Sequence, residues 1–220
     1  MPNRRTPSFK HIFSIGLLAA SIFVVRATAA AQTVDLLSGG ANEWRAINPG
    51  WQFIGGEIAG ASSILDGAIT NPDASTFLVS KKVFGGDVVV SMDVTFDEGR
   101  YLGVYLDFGQ DTQTGIWMAT GHALADDAAD NEVERAYIKT VEDSFWAVRA
   151  TGELVVQPGE RLHLRFTRKS DYYSIYCDDE LIVTYRKAGG YPPGPLQIRL
   201  TNARMRIHRL TVESDWTRNE

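Results

Sequence analysis

The sequence predicts an all-β protein, folded as a two-sheet antiparallel β-sandwich. Apolar residues recur at every second position in many short segments, which is the period of a strand with one buried face. Residues that favour turns, chiefly Gly, Pro and Asp, separate these segments at short and regular spacing. No segment has a sustained period near 3.6, and only residues 123–134 remain open between a short helix and an acidic loop. Ten or more short strands of this kind are typical of a sandwich or barrel.

The first 31 residues have the pattern of a secretory signal peptide. Basic residues precede an uncharged apolar run over residues 12–25, and small residues follow it. The pattern predicts cleavage after Ala29 or Ala31. The run is shorter than the roughly 20 residues that cross a bilayer as a helix. Arg26 lies between the run and the cleavage site, so a signal anchor remains the alternative.

Residues 32–220 therefore form the predicted single β-sandwich domain. We expect it to be secreted or periplasmic, in a bacterial cell envelope, with no integral membrane span after cleavage. Removing residues 1–31 takes away four basic residues and no acidic one, so 22 basic and 27 acidic residues become 18 and 27, a net charge of −9. An acidic domain of this kind excludes nucleic acid as an expected partner, because nucleic-acid binding needs a basic surface.

The strands are predicted in order from the alternation. Val88, Val90, Met92, Val94 and Phe96 define the first clear strand, after Gly85 and Gly86. Residues 101–108 repeat the pattern, 115–120 form a shorter strand, and 135–140 and 144–151 form a pair.

The later strands are better defined. Leu162, Leu164 and Phe166 alternate with polar residues, and residues 172–177 and 181–186 flank an acidic hairpin turn. Cys177, the single cysteine, alternates with Tyr173 and Ile175 and is predicted to be a buried thiol. Residues 196–201 and 205–212 end the chain, with a bulge predicted between Ile207 and Leu210.

Four stretches resemble one known family: Trp51–Ile58, Phe77–Val88, Tyr173–Thr184, and Pro195–Leu200 with Met205–Ile207 after it. In this order they resemble concanavalin A-like lectin and glucanase jelly rolls, and most of all the 3-keto-disaccharide hydrolase domain family. The resemblance implies a jelly-roll fold and an exported protein that acts on, or binds, carbohydrate. The family's middle strand carries an asparagine, a glycine and an arginine. The matching stretch here keeps the glycine as Gly103 and lacks the other two.

The polar face opposite the apolar stripe is the expected ligand surface. Sugars stack on aromatic rings and hydrogen-bond to planar polar groups. On this face we expect Tyr105, Trp117 and Ser91 to bind substrate.

Asp93 and Asp107 are the candidate catalytic carboxylates. They would face each other if their strands were neighbours about 4.8 Å apart. The alternative is that both are solvated carboxylates on an open sheet face. The Glu-x-Asp-x-x-Glu strand of the glucanase branch is absent, which disfavours ordinary retaining chemistry.

His122 is a candidate general base, because it follows Gly121 beside acidic residues. The alternative is an ordinary surface histidine. Asp126, Asp127 and Asp130 belong to an oxygen-rich cluster that could hold calcium, with a solvated acidic loop as the alternative. None of the functions considered below requires a cofactor.

Three functions remain open from the sequence. The first is a carbohydrate-binding jelly-roll domain that recognises a glycan or glycoside on one sheet face. The second, implied by the resemblance, is a 3-keto-glycoside hydrolase or lyase that abstracts a proton next to the keto group, with Asp93, Asp107 and His122 as first candidates. The third is a structural or adhesive surface domain.

Overall fold

The structure is a computed structural model that describes residues 31–46, 50–62, 64–65, 68–69, 75–99, 101–106, 115–121, 135–142, 145–189, 192–201 and 203–219. Its regular elements are strands and one short 3-10 helix, Gly40–Glu43. The strands are β1 Gln32–Asp35, β2 Trp44–Ala46, β3 Trp51–Ile54, β4 Glu57–Ala61, β5 Ile64–Leu65, β6 Ala68–Ile69, β7 Ser75–Glu98, β8 Tyr101–Tyr105, β9 Gly115–Gly121, β10 Arg135–Glu142, β11 Phe145–Glu153, β12 Arg161–Lys169, β13 Tyr172–Cys177, β14 Glu180–Arg186, β15 Gly194–Thr201 and β16 Arg204–Asn219.

Except for β5 and β6, which pair only with each other, the strands form two layers that are hydrogen-bonded into one antiparallel sheet. The continuous order is β11-β10-β9-β8-β15-β7-β12-β13-β14, and β16 pairs with β7, β1 and β4. We call β11, β10, β9, β8, β15 and the first half of β7 the front layer. The second half of β7 with β12, β13, β14 and β16 is the back layer. The predicted all-β antiparallel sandwich is confirmed.

The continuity of the sheet depends on β7, which belongs to both layers. Its first half pairs with β15 and its second half with β12 and β16. The sequence predicted that Gly85 and Gly86 would precede a new strand, and that boundary is wrong. Pairing with β16 continues across them, and Gly86 has a φ of 74°, which lets the strand bend there without a break.

A single hydrophobic core lies between the layers. Leu102 and Val104 of β8 and Ile198 of β15 face it from the front, and Leu164 and Phe166 of β12 face it from the back, all without solvent exposure. Burial of each such side chain contributes about 1.5–3 kcal/mol. Because side chains alternate along a strand, the remaining residues of each strand lie on the outer faces of the two layers.

Two local predictions are confirmed. Asp178 and Asp179 join β13 to β14 with φ values of 48° and 67°, the left-handed pair that matches the twist of a tight hairpin. The register of β16 against β7 shifts between Ile207 and Arg209, at the predicted bulge. In the part of the chain that the structure describes, no helix has the length and apolar character to span a membrane.

Candidate functional site

The outer face of the front layer carries a cross-strand array of aromatic and cationic residues. One row of register partners consists of Gln197, Tyr105, Trp117 and Lys139, from β15 to β10. The next row consists of Arg199, Gly103, Ala119 and Tyr137. Partners in a row lie about 5 Å apart, so side chains of both rows come into contact.

Four aromatic rings form the centre of this array, which we call the front-face cluster: Tyr101, Tyr105, Trp117 and Tyr137. The rings of Tyr105 and Trp117 are stacked, with centroids 5.3 Å apart and planes 19° from parallel. Tyr101 meets Trp117 edge-on at 5.5 Å, and Tyr137 does so at 6.3 Å. Each such pair stabilises by about 0.5–1.5 kcal/mol beyond its burial.

Two cations pack against these rings. The Lys139 ammonium lies 5.0 Å from the ring centroid of Tyr137 and 5.7 Å from that of Trp117. The Arg199 guanidinium lies 4.9 Å from the Trp117 ring and 5.4 Å from the Phe77 ring. Lys139 is only 8% exposed, so cation–π attraction there is stronger than at a solvated surface. Arg199 and Phe77 are half-buried, and they mark the part of the array that solvent reaches.

Gly103 makes the flat arrangement of Trp117 possible. A Cβ atom at position 103 would lie 2.1 Å from Trp117 Nε1 and 2.9 Å from Cε2. No side chain larger than hydrogen therefore fits between the indole and β8. This gives a physical reason for a glycine at position 103.

Two buried hydroxyl groups of the cluster, those of Tyr101 and Tyr137, have no well-formed hydrogen bond within the described part of the chain. Among the described residues, neither Tyr101 Oη nor Tyr137 Oη makes a hydrogen bond of acceptable length and angle, although each hydroxyl influences the pKa of the other. Burial raises the pKa of both phenols well above the ordinary value. A buried hydroxyl without a partner costs about 1–3 kcal/mol.

The alternation placed Tyr105 and Trp117 on the face opposite the core, and they do point that way. The expectation that they present open ring faces to solvent is wrong for this conformation, since their exposures are 1% and 2%. The reason is packing: each ring contacts its aromatic neighbours in place of water. Burial is also the main cause that raises the pKa of Tyr105.

Asp93 and Ser91 lie away from this cluster, on the outer face of the back layer. A carboxylate pair of Asp93 and Asp107 would need their two strands to be neighbours. In the structure the neighbours of β8 are β15 and β9, and the Asp93 segment of β7 pairs with β12 and β16. These strands are therefore not neighbours, because β15 lies between β7 and β8 in the sheet.

Asp93 belongs to a charged network on that back face. Its Oδ1 lies 2.7 Å from His163 Nδ1, and its Oδ2 accepts a hydrogen bond from Arg161 at 3.0 Å. Burial acts to raise the pKa of Asp93, but the hydrogen bonds from His163 and Arg161 outweigh it and lower that pKa overall. A carboxylate held ionised in this way favours a cross-strand structural role over that of a general acid.

The remaining predicted residues lie outside the described part of the chain: Asp107, His122, Asp126, Asp127 and Asp130. The carboxylate pair, the general base and the calcium cluster therefore stay predictions. Within the described residues, no three His, Cys, Asp or Glu side chains are grouped to hold a metal ion.

Sequence reasoning missed Tyr101, Tyr137 and Lys139 as members of the site. The signal was available: Tyr137 and Lys139 alternate with the core residues Ala136 and Ile138 along β10. What could not be read was that β15 lies beside β8, because these two strands are far apart in the sequence.

Comparisons with known proteins agree with the fold. No family model matches the sequence, and no curated protein matches it. The structure is similar to the carbohydrate binding module CBM66 from Bacillus subtilis, with a TM-score of 0.58, 19% identity, and coverage of 78% of this chain and 96% of that one. It is similar to a native glycosidic hydrolase, with a TM-score of 0.61, 10% identity, and coverage of 86% and 97%. It is also similar to the potassium-bound carbohydrate recognition domain of Emp46p, with a TM-score of 0.56, 11% identity, and coverage of 79% and 89%. At these identities the likeness establishes a lectin-like jelly-roll fold.

Proposed function

We propose that this protein is an exported carbohydrate-binding jelly-roll domain that recognises a glycan or glycoside on the outer face of its front layer. The observation that carries the proposal is the chemistry of the front-face cluster. It combines aromatic rings, two cations and two buried phenol hydroxyls that have no well-formed hydrogen bond among the described residues. Aromatic rings stack on the apolar faces of a sugar ring. The cations and the phenol hydroxyls can form hydrogen bonds with its hydroxyl groups.

The solvent-accessible border of the cluster gives the proposed point of contact. Arg199 and Phe77 are half-buried there, with the guanidinium between the Phe77 and Trp117 rings. A planar guanidinium offers several donors in fixed directions and suits adjacent sugar hydroxyls. Further contact with Tyr101 and Tyr137 requires rearrangement around them, because both rings are buried in the described conformation.

The test separates binding from stability. Tyr101→Phe and Tyr137→Phe each remove an unsatisfied buried hydroxyl, so we expect the free energy of unfolding to stay constant or to rise by up to about 1 kcal/mol. Glycan binding, measured on a glycan array and then by calorimetry, is expected to weaken about tenfold or more. Tyr185→Phe is the matched control, since Tyr185 packs against the main core and lies outside the cluster.

Two results would contradict the proposal. One is full glycan binding by both cluster variants. The other is a loss of stability on removal of either hydroxyl, which would mean that these groups hold the fold together. Arg199→Ala adds an independent measurement, because it alters the accessible border of the cluster. Glycan binding by this variant should fall while the protein stays folded.

A second candidate is a hydrolase or lyase for 3-keto-glycosides. It is favoured by the likeness to a glycosidic hydrolase and by the two cations of the front face, which could stabilise an oxyanion formed next to a keto group. Asp93 cannot serve as the base at this face, since it lies on the opposite layer. The assay is release of product from a 3-keto-glucoside, with His122→Ala and Asp107→Asn as the variants that should abolish it.

Export is part of the proposal and rests on residues 1–31 alone. The basic start, the short apolar run and the small residues before Gln32 support a secreted or periplasmic location. N-terminal sequencing of the protein recovered from a bacterial periplasm would test it. A mature start at Ala30 or Gln32 is expected, whereas an intact Met1 in a membrane fraction would support the signal anchor.

A further inference from the structure

We propose a second carbohydrate site, a trough across the outer face of the back layer that takes a linear oligosaccharide. This face is separated from the front-face cluster by the whole sandwich. The proposal draws on the proposed function only for its class of ligand. It rests on a different set of residues, which belong to β16, β7, β12, β13 and β14.

The floor of the trough is a row of small side chains that are register partners. Starting from Glu213 on β16, the row runs through Val89, Thr167, Ser174 and Thr184. The row crosses five strands, which is a length of about 19 Å at the usual strand spacing. Thr167 and Ser174 are buried at its bottom.

Long side chains stand on both sides of the floor. On one side the long side chains are Arg165 and Tyr176, and the short side chain of Ser91 lies beside Arg165 in the same row. On the other side Lys169 pairs with Tyr172, whose ring is 50% exposed. These two rows are four residues apart along each strand, or about 13 Å. The space between them includes a cavity of about 270 Å³.

Two of the wall residues, Arg165 and Tyr176, contact each other. Arg165 donates a hydrogen bond to Asp179 at 3.0 Å, and its guanidinium lies 4.4 Å from the ring centroid of Tyr176. The ring is thereby held beside the cavity that it lines. A site on paired strands loses less entropy on binding than one on a free loop.

The polar groups of the cavity match a polyhydroxylated ligand. Lys169 and Glu213 both line it, and neither belongs to an ion pair among the residues that the structure describes. An ammonium group offers donors and a carboxylate offers acceptors, while the hydroxyls of Ser91 and Thr167 do both. Charges of both signs in one cavity disfavour a purely anionic ligand. The strands β7, β12, β13 and β16 around the cavity are already paired on both edges, so a peptide cannot join the sheet between them.

The experiment follows backbone amide signals of the purified protein by NMR while three probes are added: cellohexaose, xylohexaose and hexagalacturonate. A neutral probe, cellohexaose or xylohexaose, is expected to shift the amides of Ser91, Thr167 and Ser174, and hexagalacturonate is expected not to. Tyr176→Ala and Thr167→Met, which fills the floor, should each weaken that binding about tenfold. Arg161→Ala is the matched control, because Arg161 lies on the same face of β12 but outside the trough. Oligosaccharide binding by this variant should not change.

The outcomes separate this proposal from the previous one. Shifts confined to front-layer amides such as Gly103 and Ala119 would overturn the trough and leave the proposed function intact. Shifts in the trough that survive both Tyr176→Ala and Thr167→Met would also overturn it. If no probe shifts any amide of either face, both proposals are wrong for these glycan classes and the trough is a solvated sheet surface.

Discussion

Replacement of Gly103 by alanine tests the packing of the front-face cluster directly. The added Cβ would lie 2.1 Å from Trp117 Nε1, whereas ordinary contacts of a Cβ are 3.4 Å or longer. The indole would have to retreat by more than 1 Å. Tyr105, stacked on it at 5.3 Å, and Tyr101 at 5.5 Å oppose that movement.

Overpacking of this kind costs about 1–3 kcal/mol. For a chain of 220 residues, each kcal/mol lowers Tm by about 2–4 °C, so a fall of roughly 4–8 °C is expected for a cost near the middle of that range. Urea unfolding gives the free energy, and near-ultraviolet circular dichroism reports the displaced indole. Glycan binding should weaken in the same variant, because the ring stack is disturbed.

The control is the same substitution in a Trp117→Phe background, as a double-mutant cycle. Phenylalanine lacks the pyrrole edge of the indole that the new methyl group would meet. The cost of Gly103→Ala should then fall below about 0.5 kcal/mol, or become a small gain, since alanine is more favourable than glycine in a strand. An equal cost in both backgrounds would refute the contact as the cause.

Three other predictions follow from the ionisable groups. Asp93→Asn should lower the free energy of unfolding by about 1 kcal/mol at pH 7. Because the pKa of Asp93 is lowered in the folded state, the difference in stability between the variant and the original protein should persist above pH 4 and vanish at lower pH. Urea unfolding at a series of pH values measures this difference. Burial raises the pKa of Cys177 to about 11, so a thiol reagent should label it only on unfolding, and fast labelling of the native protein would contradict its burial. Tyr101, Tyr105 and Tyr137 also have raised pKa values, so stability should fall as the pH rises above 10, and ultraviolet titration should detect these phenols ionising only with unfolding.

The arginine residues illustrate how one sequence pattern leads to two environments. Arg161, Arg165 and Arg206 alternate with buried residues, and each pairs with an aspartate on the back face. Such pairs are the ordinary use of outward arginine in a sheet. Arg199 has the same alternation on β15, yet its guanidinium lies against Trp117 and Phe77. Only the neighbouring strands distinguish these cases.

The sequence by itself determined the all-β class, the hairpin at Asp178, the bulge after Ile207 and which side of the clearly alternating strands, such as β7, β8 and β12, faces the core. These features depend on residues close together in the chain, where alternation and turn chemistry act. The tertiary structure decided that β15 lies between β7 and β8, and that Asp93 and Trp117 are on opposite outer faces. It also decided that the rings of the front face seal one another from water. Strand order is set by burial summed over the whole core. The alternation within one strand is the same whichever strand lies beside it, so it carries no information on strand order.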